Sequence, residues 1–183
     1  MSTTKTLINA NELFLMPKDD FKYELVEGEL NKMSPSGYKH GITIARLAGR
    51  LQVYIEDNNF GEVCGAETGF LINSNPDTVI APDIAFISNQ RILQITNPDA
   101  YSPIAPELVV EVLSPSDTPK KVTKKIELWL NFGVSVVILI DPRKKELKVY
   151  RSLSEPTPLT EKDTLTLDDI LPGFSYSLAN LFR

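Results

Sequence analysis

The apolar positions of this chain switch between two spacings, and each switch marks an element. Alternation with period two predicts strands; recurrence every three to four residues predicts helices. Residues up to about position 10 are polar and are expected to be loose. A short helix is expected near Asn11 to Met16, capped by Asn11. Tyr23-Glu24-Leu25-Val26-Glu27-Gly28-Glu29-Leu30 reads as a hairpin turning at Glu27-Gly28. Ser34-Pro35-Ser36-Gly37 is a loop, and the longest helical pattern follows it, from about Lys39 to Asp57. Ile44, Leu47, Ala48, Leu51, Tyr54 and Ile55 form its apolar stripe, and His40, four residues before Ile44, shares that inward face.

Glu62 to Ile72 then reads as a strand, with Gly65 and Gly69 pointing to a bulge or a close approach. Thr78 to Ser88 reads as the next strand, with a bulge or an interruption of the ladder at Pro82-Asp83 and with Asp83, Ala85 and Ile87 on one face. Asn89 to Ala105 is irregular apart from a helical piece at Asn89 to Ile95. Next comes an apolar strand between Pro106 and Pro115. Leu108, Val110 and Val112 point to one side, and Val109, Glu111 and Leu113 to the other. So continuous an apolar run suits a central strand covered on both faces. Thr118-Pro119 starts a helix that runs to about Phe132 and stops at Gly133. Val134 to Ile140 is a buried strand, and Asp141 to Lys145 turns the chain into a partner strand at Glu146 to Arg151. Short apolar pieces around Pro172-Gly173 close the pattern. The order predicts a single mixed α/β domain: a central mixed sheet flanked by two helices, with an N-terminal β-hairpin.

Composition narrows the chemistry. At 183 residues, 42% hydrophobic and 23% charged, the chain matches ordinary soluble domains. It has neither a long apolar span nor a signal-peptide pattern, so a cytoplasmic protein with no membrane partner is expected. Cys64 and His40 are the only cysteine and histidine, which excludes an internal disulfide and a multi-histidine zinc site. A metal would have to be held mainly by oxygen, which favours magnesium, manganese or calcium. The net charge of −5 neither suggests nor excludes nucleic acid, because a basic patch can sit on an acidic protein. No glycine-rich phosphate loop follows a strand.

Glu111 is the residue this pattern leaves unexplained. A carboxylate inside an apolar strand is costly unless paired, hydrogen-bonded or bound to a cation. Asp83 lies at the previous strand, and consecutive strands usually neighbour each other. Two carboxylates brought together repel, and a divalent cation between them removes that cost. The following helix offers Lys120, Lys121, Lys124 and Lys125 beside an apolar stripe of Val122, Ile126, Trp129 and Leu130. At about 100° per residue, Lys125 falls about 85° from the stripe centre, at the rim of the buried face, while Lys124 lies nearly opposite. Lys120, Lys121 and Lys124 read as a solvated face. A structural Glu111–Lys125 ion pair without metal is the alternative.

Pro82-Asp83 followed by Glu111 in Glu-Val-Leu resembles the PD-(D/E)xK nuclease superfamily. More closely, the chain resembles the Uma-two family of restriction endonucleases. The pieces that carry this are Tyr23 to Leu30, Ser34 to His40, Ala81-Pro82-Asp83-Ile84, Pro106 to Ser116, Lys125-Ile126-Glu127-Leu128-Trp129, Phe132-Gly133-Val134, Ile140-Asp141-Pro142 and Pro172-Gly173-Phe174. The resemblance implies a restriction-endonuclease-like core of a helix, three strands, a helix and a strand. It implies Asp83 and Glu111 as ligands of Mg2+ or Mn2+, Lys125 as the catalytic lysine, and Glu24 and His40 near the site. DNA as substrate also comes from the resemblance, and a homodimer would supply two sites for double-strand cleavage. There are two departures. Leu113 stands where the superfamily usually has its lysine, and Val136-Val137-Ile138 where relatives often carry Glu-Tyr-Trp. The rival of a magnesium-dependent endonuclease is a catalytically silent protein of the same fold, binding nucleic acid or protein.

Overall fold

The structure is a computed structural model that describes residues 6–17, 19 and 21–183. Residues 1–5, part of the stretch expected to be loose, lie outside the described residues. In chain order the elements are α1 Ala10–Phe14, β1 Lys22–Val26, β2 Glu29–Met33, α2 Tyr38–Asp57, β3 Gly61–Cys64, β4 Phe70–Asn73, β5 Thr78–Ile80, β6 Ile84–Ser88, α3 Asn89–Ile92, β7 Leu108–Val112, α4 Pro119–Phe132, β8 Val136–Asp141, β9 Glu146–Tyr150, β10 Thr157–Thr160, β11 Thr164–Thr166, β12 Ser175–Ser177 and α5 Leu178–Leu181. Among the described residues three sheets form, ordered β10-β9-β8-β7-β6-β3, β2-β1-β5-β4 and β11-β12. In the six-stranded sheet only β7 and β8 run parallel. Such a pair needs a crossover, and α4 supplies it.

The alternation in β7 decides the layers. Leu108, Val110 and Val112 pack with Leu47, Leu51 and Ile55 of α2 and with apolar residues of the C-terminal segment, including Leu171 and Phe174. Val109 packs on the opposite face with Ile126 and Trp129 of α4 and with Phe70 and Ile80. The sheet is therefore covered on both sides, as its continuous apolar strands require. The implied order of a helix, three strands, a helix and a strand is realised as α2, β3, β6, β7, α4 and β8. Val136, Val137 and Ile138 are all completely buried in the two apolar layers, so this departure from relatives is absorbed as core packing.

Two long expected strands are each divided. The stretch Glu62 to Ile72 is β3 and β4, and Thr78 to Ser88 is β5 and β6; in both cases the halves belong to different sheets. Pro82 cannot donate to a ladder, so Ala81-Pro82-Asp83 becomes the crossing between sheets rather than a bulge within one. Gly69 marks the other crossing, where a Cβ would stand 2.4 Å from the Tyr101 ring. The first helix begins one residue earlier than expected. Asn9, not Asn11, is its cap: Asn9 accepts from the Glu12 N–H, while Glu12 accepts from the Asn9 N–H. The hairpin turns at Glu27-Gly28, both with positive φ (53° and 78°), matching strand twist. Thr118 caps α4 and left-handed Gly133 ends it. Missed altogether were β10 and the β11–β12 hairpin, whose strands are three or four residues long.

Gly61 starts β3 at φ +151°, and a Cβ there would lie 2.1 Å from the Ile87 carbonyl oxygen and 2.8 Å from Ser88 Cα. Both obstacles are backbone and cannot swing aside. Gly61→Ala should therefore destabilise the fold by about 1–3 kcal/mol, read as a lower midpoint in urea unfolding. An unchanged midpoint would mean that β3 can shift on β6 without cost.

Candidate functional site

The candidate site gathers where the start of β6, the end of β7 and the beginning of α2 meet, with α4 and β1 closing it. Asp83 precedes β6, and its Oδ2 accepts from the Val112 N–H at 2.7 Å. That bond ties the crossing segment to the residue beside Glu111. The same oxygen lies 3.3 Å from His40 Nε2, in the first turn of α2. His40 is buried, as the apolar stripe implied. Its hydrogen bond to Asp83 raises its pKa above the ordinary histidine value, against the opposing effect of burial. His40 Nδ1 is buried with no hydrogen-bond partner among the described residues. His40 and Asp83 line one wall of a cleft of about 280 Å³, shared with Lys22, Ser36 and Gly41.

Glu111 faces the α4 side of the sheet, and each of its oxygens has a donor. Trp129 Nε1 donates to Oε1 at 2.8 Å. Lys125 Nζ stands 3.1 Å from Oε2. The ammonium also reaches Glu24 Oε1 of β1 at 3.2 Å and the Ala81 carbonyl at 3.5 Å. Glu24 Oε1 in turn accepts from the Ala81 N–H at 3.4 Å. Lys125 thus bridges the smaller sheet, the crossing segment and the central strand. Its neighbour Lys124 lies outside, mostly exposed, and pairs with Glu27 at 3.2 Å. Lys120 and Lys121 are exposed. The helical phase of α4 accounts for the difference, since one step of about 100° moves a side chain from rim to solvent.

Burial raises the Glu111 pKa to about 7; Lys125 and Trp129 oppose that rise, and the charges of Asp83 and Glu24 add to it. Glu111 and Glu24 together hold the Lys125 ammonium protonated above the usual lysine range, although burial works against it. Three carboxylates, Glu24, Asp83 and Glu111, therefore share one lysine and one histidine. Among the described residues no group of three or more His, Cys, Asp or Glu side chains is arranged to hold a metal ion. Asp83 and Glu111 remain as a two-carboxylate, hard-oxygen donor set. That set fits Mg2+, which typically takes one or two carboxylates and keeps several waters, and an added dication would offset the excess negative charge.

The four expected residues thus form two contacting pairs, His40 with Asp83 and Lys125 with Glu111, linked through Val112 and Ala81. Sequence reasoning missed Trp129, which it assigned wholly to the apolar stripe. The signal was available: a buried indole N–H seeks an acceptor, and Glu111 was the unexplained acceptor nearby. It also gave no residue-based reason for Glu24. Only resemblance had placed Glu24 here.

No helix among the described residues is long and apolar enough to cross a membrane. No curated protein matches the chain. A solved structure of a "putative nuclease belonging to DUF820" from Anabaena variabilis ATCC 29413 superposes with a TM-score of 0.80, at 22% identity, covering 96% of this chain and 97% of the other. At that identity the likeness establishes a shared fold, a mixed α/β sheet flanked by helices. Residues 10–179 match the family Uma2, described as "Putative restriction endonuclease". Since that match spans nearly all of the chain, the protein belongs to the Uma2 family.

Proposed function

We propose that this protein is a Mg2+- or Mn2+-dependent endonuclease that hydrolyses phosphodiester bonds in DNA. The observation that carries the reading is the Lys125–Glu111 contact at 3.1 Å. With Leu113 in the usual lysine position, a nuclease of this kind needs its ammonium from elsewhere, and α4 delivers it to the same carboxylate. Asp83 and Glu111 would hold the metal. Mg2+ bound there supplies Lewis-acid stabilisation of negative charge on the phosphate. Lys125 places a fixed positive charge beside it, able to orient a water or stabilise the transition state. His40 and the Val112 N–H fix the direction of Asp83. In this reading the protein acts in the cytoplasm as a homodimer, with one site for each DNA strand.

The test is cleavage of supercoiled plasmid with Mg2+, Mn2+ or EDTA. Nicked and linear product that appears only with metal supports the nuclease. The second reading, a silent nuclease-fold binding module, is favoured by one feature: Lys125 already has three acceptors, Glu111, Glu24 and Ala81 O. DNA retention in a gel shift without cleavage would select it.

A pH dependence follows from Glu111. Its carboxyl holds a proton up to about pH 7, above the usual range, because of burial. A metal must displace that proton. Mn2+ affinity measured by calorimetry should therefore rise about tenfold per unit from pH 5.5 towards 7 and level off above. The stability of the metal-free protein has the opposite slope. Glu111 favours folding below its unfolded pKa, and that contribution is lost as the pH rises through about 7. A flat metal affinity across this window would remove Glu111 from the ligand set.

A further inference from the structure

The chain has a single tryptophan, and it sits behind the site rather than in it. Trp129 is completely buried. Its ring meets Phe70 of β4 edge to face, with centroids 5.9 Å apart and an interplanar angle of 81°. Its Nε1 donates to Glu111 Oε1 at 2.8 Å. We propose that Trp129 is a positioning residue: its indole N–H holds Glu111 in the orientation from which the carboxylate takes a divalent cation. The inference rests on the metal-dependent reading above and adds to it a residue outside the ligand set.

The two oxygens of Glu111 divide the labour. An indole nitrogen donates and never accepts. It is neutral, so it fixes Oε1 without cancelling the carboxylate charge. Lys125 at Oε2 does the reverse, since it offsets the charge while that oxygen keeps a further lone pair for a cation. A glutamate on a strand has three side-chain torsions to lose, and a rigid donor beneath it removes that freedom before any ion arrives. The donor is itself rigid. Trp129 is packed with Phe70, Ile126 and Val137 in the apolar layer under the sheet, so the aim of Glu111 is set by the core. Groups that orient a metal-binding side chain from behind typically contribute 10–100-fold in metal affinity.

The experiment uses the whole chain and a metal alone. Calorimetric titration with Mn2+ at pH 8 should show Trp129→Phe, which keeps the ring and drops the N–H, binding about 10–100-fold more weakly than the wild type. In parallel, the single indole N–H resonance in a 1H–15N spectrum should move during a Mg2+ titration of the wild type and stay still in Glu111→Gln. The second measurement needs no change at Trp129, so it decides the matter if Trp129→Phe does not fold. If wild type and Trp129→Phe bind Mn2+ equally, or the indole resonance ignores Mg2+ while calorimetry registers binding, Trp129 is only packing and the proposal falls alone. If the wild type binds neither ion, the metal reading falls and takes this inference with it.

Discussion

Glu111→Gln should lower metal-dependent cleavage by at least about 10³-fold, equivalent to about 4 kcal/mol, while leaving the fold intact. The amide oxygen can still accept the Trp129 N–H, so the bond that orients this side chain survives. Lys125 keeps Glu24 and the Ala81 carbonyl. What disappears is a buried negative charge that metal coordination needs and stability does not. The protein resists charging this group, as its pKa of about 7 shows. Above that pH the variant should therefore melt at or above the wild-type temperature. The informative result is this opposition, with cleavage lost and thermal stability kept or raised. Cleavage by Glu111→Gln at wild-type rate would place the chemistry elsewhere or assign it to a contaminant.

Lys125→Met should fail in both respects. The substitution keeps much of the aliphatic stem but leaves Glu111 and Glu24 without their common cation in a largely buried place. Breaking a buried pair from one side costs about 3–5 kcal/mol, and since the Lys125 side chain is 26% exposed the lower end is expected here. The loss should depend on pH. Below about 7 Glu111 takes up a proton and no longer needs the lysine, so the deficit shrinks; at pH 8 it is largest. Adding Glu111→Gln to Lys125→Met should restore much of the stability and none of the cleavage. Denaturant unfolding of the four proteins at pH 6 and 8 forms a double-mutant cycle that checks this. Equal losses at both pH values would mean that Lys125 contributes through packing, Glu24 and the Ala81 carbonyl and not through the Glu111 charge.

The parts of the fold legible in the sequence were those where one local pattern had one outcome. Thr118-Pro119 and Gly133 bounded α4, Glu27-Gly28 turned the hairpin, and the alternation through Leu108 to Leu113 separated the two faces of β7. The divided strands were not legible, because a run of β-forming residues does not say which sheet each half will join. At Pro82 the sequence pointed to a bulge or an interruption of the ladder, and only tertiary pairing showed the chain changing sheets there. The site followed the same rule. Helical phase singled out Lys125 among four lysines, and strand alternation set Glu111 facing α4. The contacts of Glu24 depend on how β1 docks, which no local spacing encodes. Trp129 looked like core and is core; its polar edge became visible only beside Glu111.

Both partners of Glu111 come from the helix that follows β7, but only one of them also reaches the first hairpin. Trp129 is 18 residues away, on the helix that follows β7, whereas Lys125 completes its own set of acceptors with Glu24, 101 residues distant on the first hairpin. Closing the longer loop costs more entropy, and contacts of that span slow folding. The two halves of the site are thus expected to form at different rates. Tryptophan burial is expected with the local assembly of β7 with α4, and the full charge constellation only once the N-terminal hairpin has docked. A chain caught midway would have Glu111 already facing Lys125 and Trp129 but Glu24 still away, so the complete set of charges belongs to the finished fold.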